Sequence, residues 1–474
     1  MKIKRLLFVF LPLIFFNVAF ATTYHVGPSQ TYISPNELFL ANVVQNGDII
    51  EIDATDYVGV AAFANWSADN LIIRGVGGRP HLIANGQNLQ GKGIWIISGN
   101  NATVENIEFS GATVPDENGA GIRQEGISLT IRNCYFHDNE NGILTNNPNA
   151  GDILVEFSEF SNNGFGDGFT HNIYVGHVNS FTLRYSYMHH AKVGHNVKSR
   201  ATNNYILYNR IMDEATGNSS RLIDLSNGGF TVIMGNLLMQ GPNAPNNNLV
   251  GFGLEGLSNS TPNELHFINN TLVNKRTASC VFVSVQGGTT IANVSNNIFA
   301  GIGTLVNGTT TTMSNNIFDT NIGNMLFTDE PNYDYNLNAN SPAANAGTSI
   351  NSVNGFSLTP DKHYVHPINN SSRTLLGTID VGAYEYEGTL SNDEFSSTQF
   401  VIYPNPATEN IIIKTLDIKD ITINIYNSVG QKIVFQKLFQ DGNYSINTTH
   451  FQSGIYFVEV HISGQKKIVK IIIK

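Results

Sequence analysis

Five of the 13 histidines in this 474-residue chain, His171, His177, His189, His190 and His195, fall between residues 171 and 195. The adjoining stretch carries six basic residues, Arg184, Lys192, Lys198, Arg200, Arg210 and Arg221, against two acidic ones, Asp213 and Glu214. The whole chain has 26 basic and 37 acidic side chains and a net charge of −11, which argues against a nucleic-acid partner. A local cluster of Lys, Arg, His, Tyr and Asn suits an acidic sugar chain instead. Cations offset carboxylates, Asn and Tyr bond hydroxyls, and aromatic faces stack on sugar rings.

Such residues need a scaffold that brings them together, and the sequence contains one. A six-residue pattern, apolar-x-(Asn, small or aromatic)-x-apolar-apolar, starts at Val104, Ile131, Val155, Leu183, Leu207, Ile233, Ile268, Val294 and Met313. The starts span 209 residues in eight intervals, a mean period of about 26, which is one solenoid coil per repeat. The 44 Gly and roughly 60 Asn fit the frequent turns of such a coil, and Asn side chains can bond from coil to coil. The fold class expected is all-β: a right-handed parallel β-helix, followed by a small C-terminal β-sandwich. Pro35 to Val44 reads as an amphipathic cap on the first coil. Cys134 and Cys280 lie some five coils apart, so both thiols are expected to be unpaired.

Residues one coil apart become neighbours. Aligning Ile143, Ile173, Val197 and Ile223 gives an outward column Leu144, Tyr174, Lys198, Asp224, with Glu255 next. The column two residues earlier reads Asn141, His171, His195, Arg221, with Asn172 under Asn196 between them. Tyr174, His195, Lys198 and Arg221 are the candidate catalytic residues; His171, Asn172, Arg184, Asn196, Arg200 and Asp224 are the candidate substrate-binding ones.

Val197-Lys198-Ser199, Asn203-Asn204, Leu207 to Met212, Arg221, Asn227-Gly228-Gly229 and Val232 to Asn236 resemble the active-site coils of polysaccharide lyase family six, the alginate and dermatan lyases. The resemblance implies that Lys198, followed by Ser199, removes the proton beside a uronate carboxylate and that an Arg about one coil later, Arg221, acts on the leaving oxygen. The chain departs from the family at Ser226 and in Ala191 to His195, which lacks the acidic residues of calcium-dependent members. Calcium is thus a possible cofactor without its usual ligands, and no other cofactor is called for. β-Elimination needs a base, a cation on the carboxylate and an acid. Lys198 is the candidate base, Arg221 or Arg200 the clamp, and His195 or Tyr174 the acid or an alternative base. An Asp224 stacked on Lys198 would favour the ammonium, which leaves a surface ion pair as the plain alternative.

Weaker readings remain beside this one. His189, His190 and His177 could hold a metal, although adjacent residues of a strand point to opposite faces. Asp167, Asp213, Glu214, Asp224 and Glu255 form no evident hydrolase pair. His25, His137, His266, His363, His366 and His450 read as structural or solvated. Whether the protein is an enzyme stays open: the alternatives are a non-catalytic surface glycan-binding protein or adhesin, and a uronate epimerase or glycoside hydrolase.

The ends indicate export. Residues 1–21 combine Lys2, Lys4 and Arg5, an apolar run and Ala19-Phe20-Ala21, the pattern of a signal peptide. The β-helix is expected over 22–388, a linker over 389–398 and a small β domain over 399–474. In that last part Tyr403 to Ala407, Ile425 to Gln431, Gly454 to Val458 and Lys466 to Lys474 resemble the sorting domain of the type nine secretion system of Bacteroidota. That resemblance implies passage across the outer membrane to the surface or the medium, with the secretion machinery as partner. The mature protein is read as a monomer with no membrane span, no nucleic-acid partner and an acidic polysaccharide as ligand.

Overall fold

The computed structural model describes residues 21–386 and 400–474, apart from position 261 and the short stretches 416–420, 439–442 and 463–464. The expected signal peptide and linker lie outside the described residues, except Ala21. The chain divides into two compact units at residues 386 and 387.

The first unit is a parallel β-helix built of three sheets of 12, 10 and 11 strands, each strand pairing with its equivalents one coil before and after. The first sheet runs from Thr23–Val26 to Thr312–Ser314, the second from Ala64–Trp66 to Gly303–Gly308, and the third from Asp56–Val58 to Ile317–Asp319. In a strand one apolar residue in two faces inward. The third-sheet strands show this plainly: Phe109, Phe136 and Phe160 stack in the core at 4.9 and 4.7 Å between ring centres.

After each first-sheet strand of the central coils the backbone turns through a residue of positive φ: Asn106, Asn133, Phe157, Tyr185, Tyr208, Gly235, Asn269, Asn296 and Asn315. Asn tolerates this conformation, and Gly235 is required, since a Cβ there would lie 2.4 Å from the Tyr208 ring. The following residue points inward as a ladder. Cys134, Ser158, Ser186, Asn209, Asn236, Asn270, Asn297 and Asn316 succeed one another, each side chain from Ser158 onward accepting the backbone N–H of the residue before it at 2.8–3.2 Å. These bonds satisfy polar groups that no solvent reaches. Cys134 and Cys280 are unpaired and buried, and burial pushes both thiols up to about 12.

The first coil is capped as expected, by the helix Pro35–Ala41, with Ser34 accepting from Glu37 N at 3.3 Å and Glu37 accepting from Ile33 N at 2.9 Å. Leu38 is fully buried.

Two pattern starts slip by one residue. Leu183 pairs with Ile206, not Leu207, and Ile233 with Phe267, not Ile268. The reason is a second layer. Leu207, Val232, Met234 and Ile268 face outward yet are buried, packed with Leu358 and beside Ile350, Val353 and Phe356. On the third sheet, Tyr187, Met212, Leu237, Met239 and Val273 are likewise packed against Met325, Tyr335, Val381 and Tyr384. The closing segment therefore lies over the outside of the first and third sheets, and Gly382 approaches so closely that a Cβ would lie 2.6 Å from Ile298. Neither layer includes a residue of the second sheet.

The second unit is a pair of antiparallel sheets. One holds Phe400–Tyr403, Asn410–Thr415 and Asn443–Asn447; the other holds Lys432–Leu438, Ile421–Asn427, Gly454–Ile462 and Gln465–Ile473. Ile411, Ile413, Ile423, Ile425, Val458, Val460 and Ile471 form its core. No helix among the described residues is long and apolar enough to cross a membrane.

Candidate functional site

The second sheet sets out a polar column. Leu144 pairs with Tyr174, Tyr174 with Lys198, Lys198 with Asp224, and Asp224 with Gly251. In the strands Ile173–Val175, Val197–Ser199 and Ile223–Leu225 the flanking residues go into the core, so these three central side chains face outward.

The column before it forms a second ladder. Asn141 Oδ1 accepts from His171 N at 3.0 Å, His171 Nδ1 from His195 N at 3.0 Å, and His195 Nδ1 from Arg221 N at 3.1 Å. A backbone N–H only donates, so both imidazoles are fixed as acceptors at Nδ1 with their proton at Nε2. The rings stack at 4.9 Å. Burial drives His171 well below its ordinary value, and His195 down to about 4 even though Asp224 pulls it upward.

Around Lys198 the charges close into a network. Its Nζ lies 2.7 Å from Glu255 Oε1 and 3.8 Å from Asp224 Oδ2, and 5.5 Å from the centre of the Tyr174 ring. Arg200 donates from Nε to Tyr174 Oη at 2.7 Å and from Nη1 to Asn227 Oδ1 at 2.6 Å, and its Nη2 meets the other Glu255 oxygen. Asp224, fully buried, also accepts from Arg221 Nη1 at 3.1 Å and Ser226 Oγ at 2.8 Å, with His195 Nε2 at 3.7 Å. Burial raises the Glu255 carboxyl, but Lys198 and Arg200 outweigh it and hold that group at about 2. With both histidines neutral, three cations face two carboxylates. Among the described residues the buried Arg221 Nε has no hydrogen-bond partner.

Glu255 arrives from a loop. Its backbone N–H donates to Ser226 O at 3.0 Å, and three residues on Ser258 bonds Asn227 and Asn259 bonds the carbonyls of Ala201 and Gly228. On the other side of Tyr174 opens a cavity of about 450 Å³, lined by Asp116, Glu117, Arg123, Asp167, Phe169 and Tyr174 among others. Phe169 is 81% exposed.

The structure therefore brings together Tyr174, His195, Lys198, Arg200, Arg221 and Asp224. His171, Asn172 and Asn196 are buried beneath them: Asn163, Asn172 and Asn196 bond one another at 2.9 and 2.7 Å and Asn196 reaches Ser219, so neither Asn172 nor Asn196 faces a ligand. Arg184 stands on the first sheet, its Nε 2.7 Å from Glu156. The electropositive window disperses for the same reason, because a coil turns successive residues onto three faces: Lys192 meets Asp138 and Arg210 meets Glu214. His189 and His190 do come together, Nδ1 to Nδ1 at 2.7 Å, because His190 sits in a positive-φ turn; His177 follows a second-sheet strand and does not join them. Arg123 and Phe169 carry no signal in the repeat, because each belongs to a connection or to a column not followed that far, and Asn227 enters the sequence reading only as part of the family resemblance.

Residues 401–474 match the family model of the secretion system C-terminal sorting domain. The protein is exported across the outer membrane, to the cell surface or the medium, through the type nine secretion machinery that this domain addresses. No curated protein matches the chain. Among solved structures the chain is similar to the pectate lyase Pel9A, at 15% identity over 78% of this chain and 97% of that one, with a TM-score of 0.40.

Proposed function

We propose that the protein acts on an acidic, uronate-containing polysaccharide laid across the second sheet, and that it does so by β-elimination. One observation carries the reading: the Glu255 carboxylate sits between Lys198 and Arg200, one oxygen on each. A uronate carboxylate has the same charge and the same fork, so this pair is preorganised for it. The cavity beyond Tyr174 then takes the neighbouring sugar. Asp116, Glu117 and Asp167 there bond hydroxyls and repel a second carboxylate, and Phe169 offers a ring face.

In the reaction Arg200 holds the uronate carboxylate, and Lys198, once Glu255 is displaced and the lysine ammonium has given a proton to solvent, takes the proton on the carbon beside the carboxylate. The electron pair forms the double bond, and the bond to the leaving oxygen breaks. Tyr174 Oη accepts from Arg200, which leaves its own proton free for that oxygen. His195 is not the base, since its lone pair already receives the Arg221 N–H.

The ion pairing of Lys198 on two sides favours a second reading, a glycan-binding protein without catalysis. The test incubates the full chain with uronate polysaccharides and follows the ultraviolet absorbance of unsaturated ends. A rise that Lys198→Ala abolishes supports elimination. Saturable binding without absorbance supports the second reading, and neither response rejects both.

A further inference from the structure

The third sheet carries a cluster that the groove does not use. In three consecutive strands, His81–Ile83, Glu108–Ser110 and Tyr135–His137, the central residues Leu82, Phe109 and Phe136 enter the core, so the residues on either side face outward. His81 pairs directly with Glu108, while His137 pairs with Ser110 and so stands diagonally across from Glu108. Both imidazoles converge on one carboxylate oxygen: His137 Nε2 lies 3.0 Å and His81 Nε2 3.6 Å from Glu108 Oε1, and the three atoms fall within 4.8 Å of one another.

Each ring has an acid at its far nitrogen. His137 Nδ1 is 2.9 Å from Asp138 Oδ2, brought round by the positive φ of Asp138, and His81 Nδ1 is 3.8 Å from Asp56 Oδ1. The Asp138 carboxylate, within hydrogen-bond reach, fixes the proton on His137 Nδ1 and leaves its Nε2 lone pair for a metal, the outer-sphere pattern of histidine metal sites; Asp56 stands near His81 Nδ1 without a hydrogen bond.

We propose that His81 Nε2, Glu108 Oε1 and His137 Nε2 bind a zinc-like divalent transition-metal ion, with Asp138 as the outer carboxylate. Metal–ligand bonds of about 2.0–2.1 Å in tetrahedral geometry set ligand atoms roughly 3.3 Å apart, and the two observed separations, 3.0 and 3.6 Å, bracket that spacing. Two imidazoles and one carboxylate suit zinc, nickel or copper, not calcium. Three protein ligands leave a fourth position open. Ser110 Oγ, 2.7 Å from His81 Nε2, has to turn aside or take that position.

The test uses the full chain, stripped with chelator and titrated with Co²⁺ and then Zn²⁺. The expected result is one equivalent of Co²⁺ with visible ligand-field absorption, displaced by Zn²⁺, and a thermal midpoint raised by Zn²⁺. His81→Ala and His137→Ala should lose both signals, Asp138→Asn should weaken binding about 10- to 100-fold, and His189→Ala should change nothing. Should the alanine variants fail to fold, Glu108→Gln keeps the shape and should cost at least about tenfold in affinity. No saturable binding, binding unaffected by His137→Ala or Glu108→Gln, or binding lost in His189→Ala overturns the assignment.

Discussion

Lys198 and Glu255, 57 residues apart in the chain, meet at 2.7 Å on the outer face of the second sheet. The contact joins a strand residue, fixed by its neighbours one coil away, to a loop residue held by Ser258 and Asn259. In the proposed function Glu255 occupies the place of the ligand carboxylate and competes with it.

Replacing Glu255 tests that competition. Glu255→Gln leaves the fork but removes its charge, and is expected to raise affinity for a uronate polymer several-fold, on the order of 1 kcal/mol for a half-exposed ion pair. Equilibrium binding at fixed ionic strength measures it. Weaker binding in the variant would mean that Glu255 positions the cations instead of competing for them.

Phe169 supplies a separate readout, because its ring is exposed and packs little. Phe169→Ala should weaken polymer binding while leaving the unfolding midpoint within about 0.5 kcal/mol of the parent. Parallel binding and thermal-denaturation curves decide it.

Acid should weaken the fold through His195. An imidazole in the unfolded chain titrates near 6.5, whereas burial holds His195 at about 4. The unfolded state then binds the proton first, so stability is fullest above 6.5 and is lost as pH falls through the window from 6.5 to about 4, by on the order of 3 kcal/mol. Asp213, which burial raises to about 6, has the opposite sign: its contribution is lost as pH rises from about 3.8 through 6. His195→Asn keeps an acceptor for the Arg221 N–H, as Asn141 does for His171, and should flatten the acid limb of the melting curve between pH 6.5 and 4. An unchanged limb would place the acid sensitivity elsewhere.

The inner ladder should be sensitive to a single truncation. Asn236 donates to Ile206 O at 2.7 Å and to Asn270 Oδ1 at 3.0 Å, and accepts from Asn209 N at 2.9 Å. Asn236→Ala takes the acceptor from the buried Asn209 N–H and Nδ2 and removes the side-chain donor to Ile206 O, at an expected cost of about 2–3 kcal/mol, read as a lower midpoint in denaturant.

Much of this was legible in the sequence, and the exceptions share a cause. The outward column Tyr174, Lys198, Asp224 follows from coil length alone, since parallel pairing copies register from one coil to the next. Glu255 does not follow Asp224 in the column as the alignment expects: Gly251 takes that place, Glu255 belongs to no strand, and a loop brings its carboxylate back to Lys198. Leu207 and Ile268 misled because inward and outward residues were both apolar there, and alternation carries no information when both faces are covered. Asn172 and Asn196 look like ligand contacts in a column of polar residues, yet their amides bond each other in the interior. Spacing locates a residue along the strand; which face it takes depends on what else is packed on that face.

The closing segment carries a further consequence. Tyr208 Oη donates to Asp361 at 2.9 Å across 153 residues, and Leu358 and Tyr384 cover side chains that earlier coils turn outward. Up to about residue 320 each strand of the three sheets pairs only with strands one coil before or after it, so the solenoid can assemble progressively as the chain emerges. A product halted there would expose Leu207, Met234, Met239 and Val273 as an adhesive flank. Only a chain that has reached residue 386 seals it, so the molecule tells a finished copy from a truncated one by its own surface.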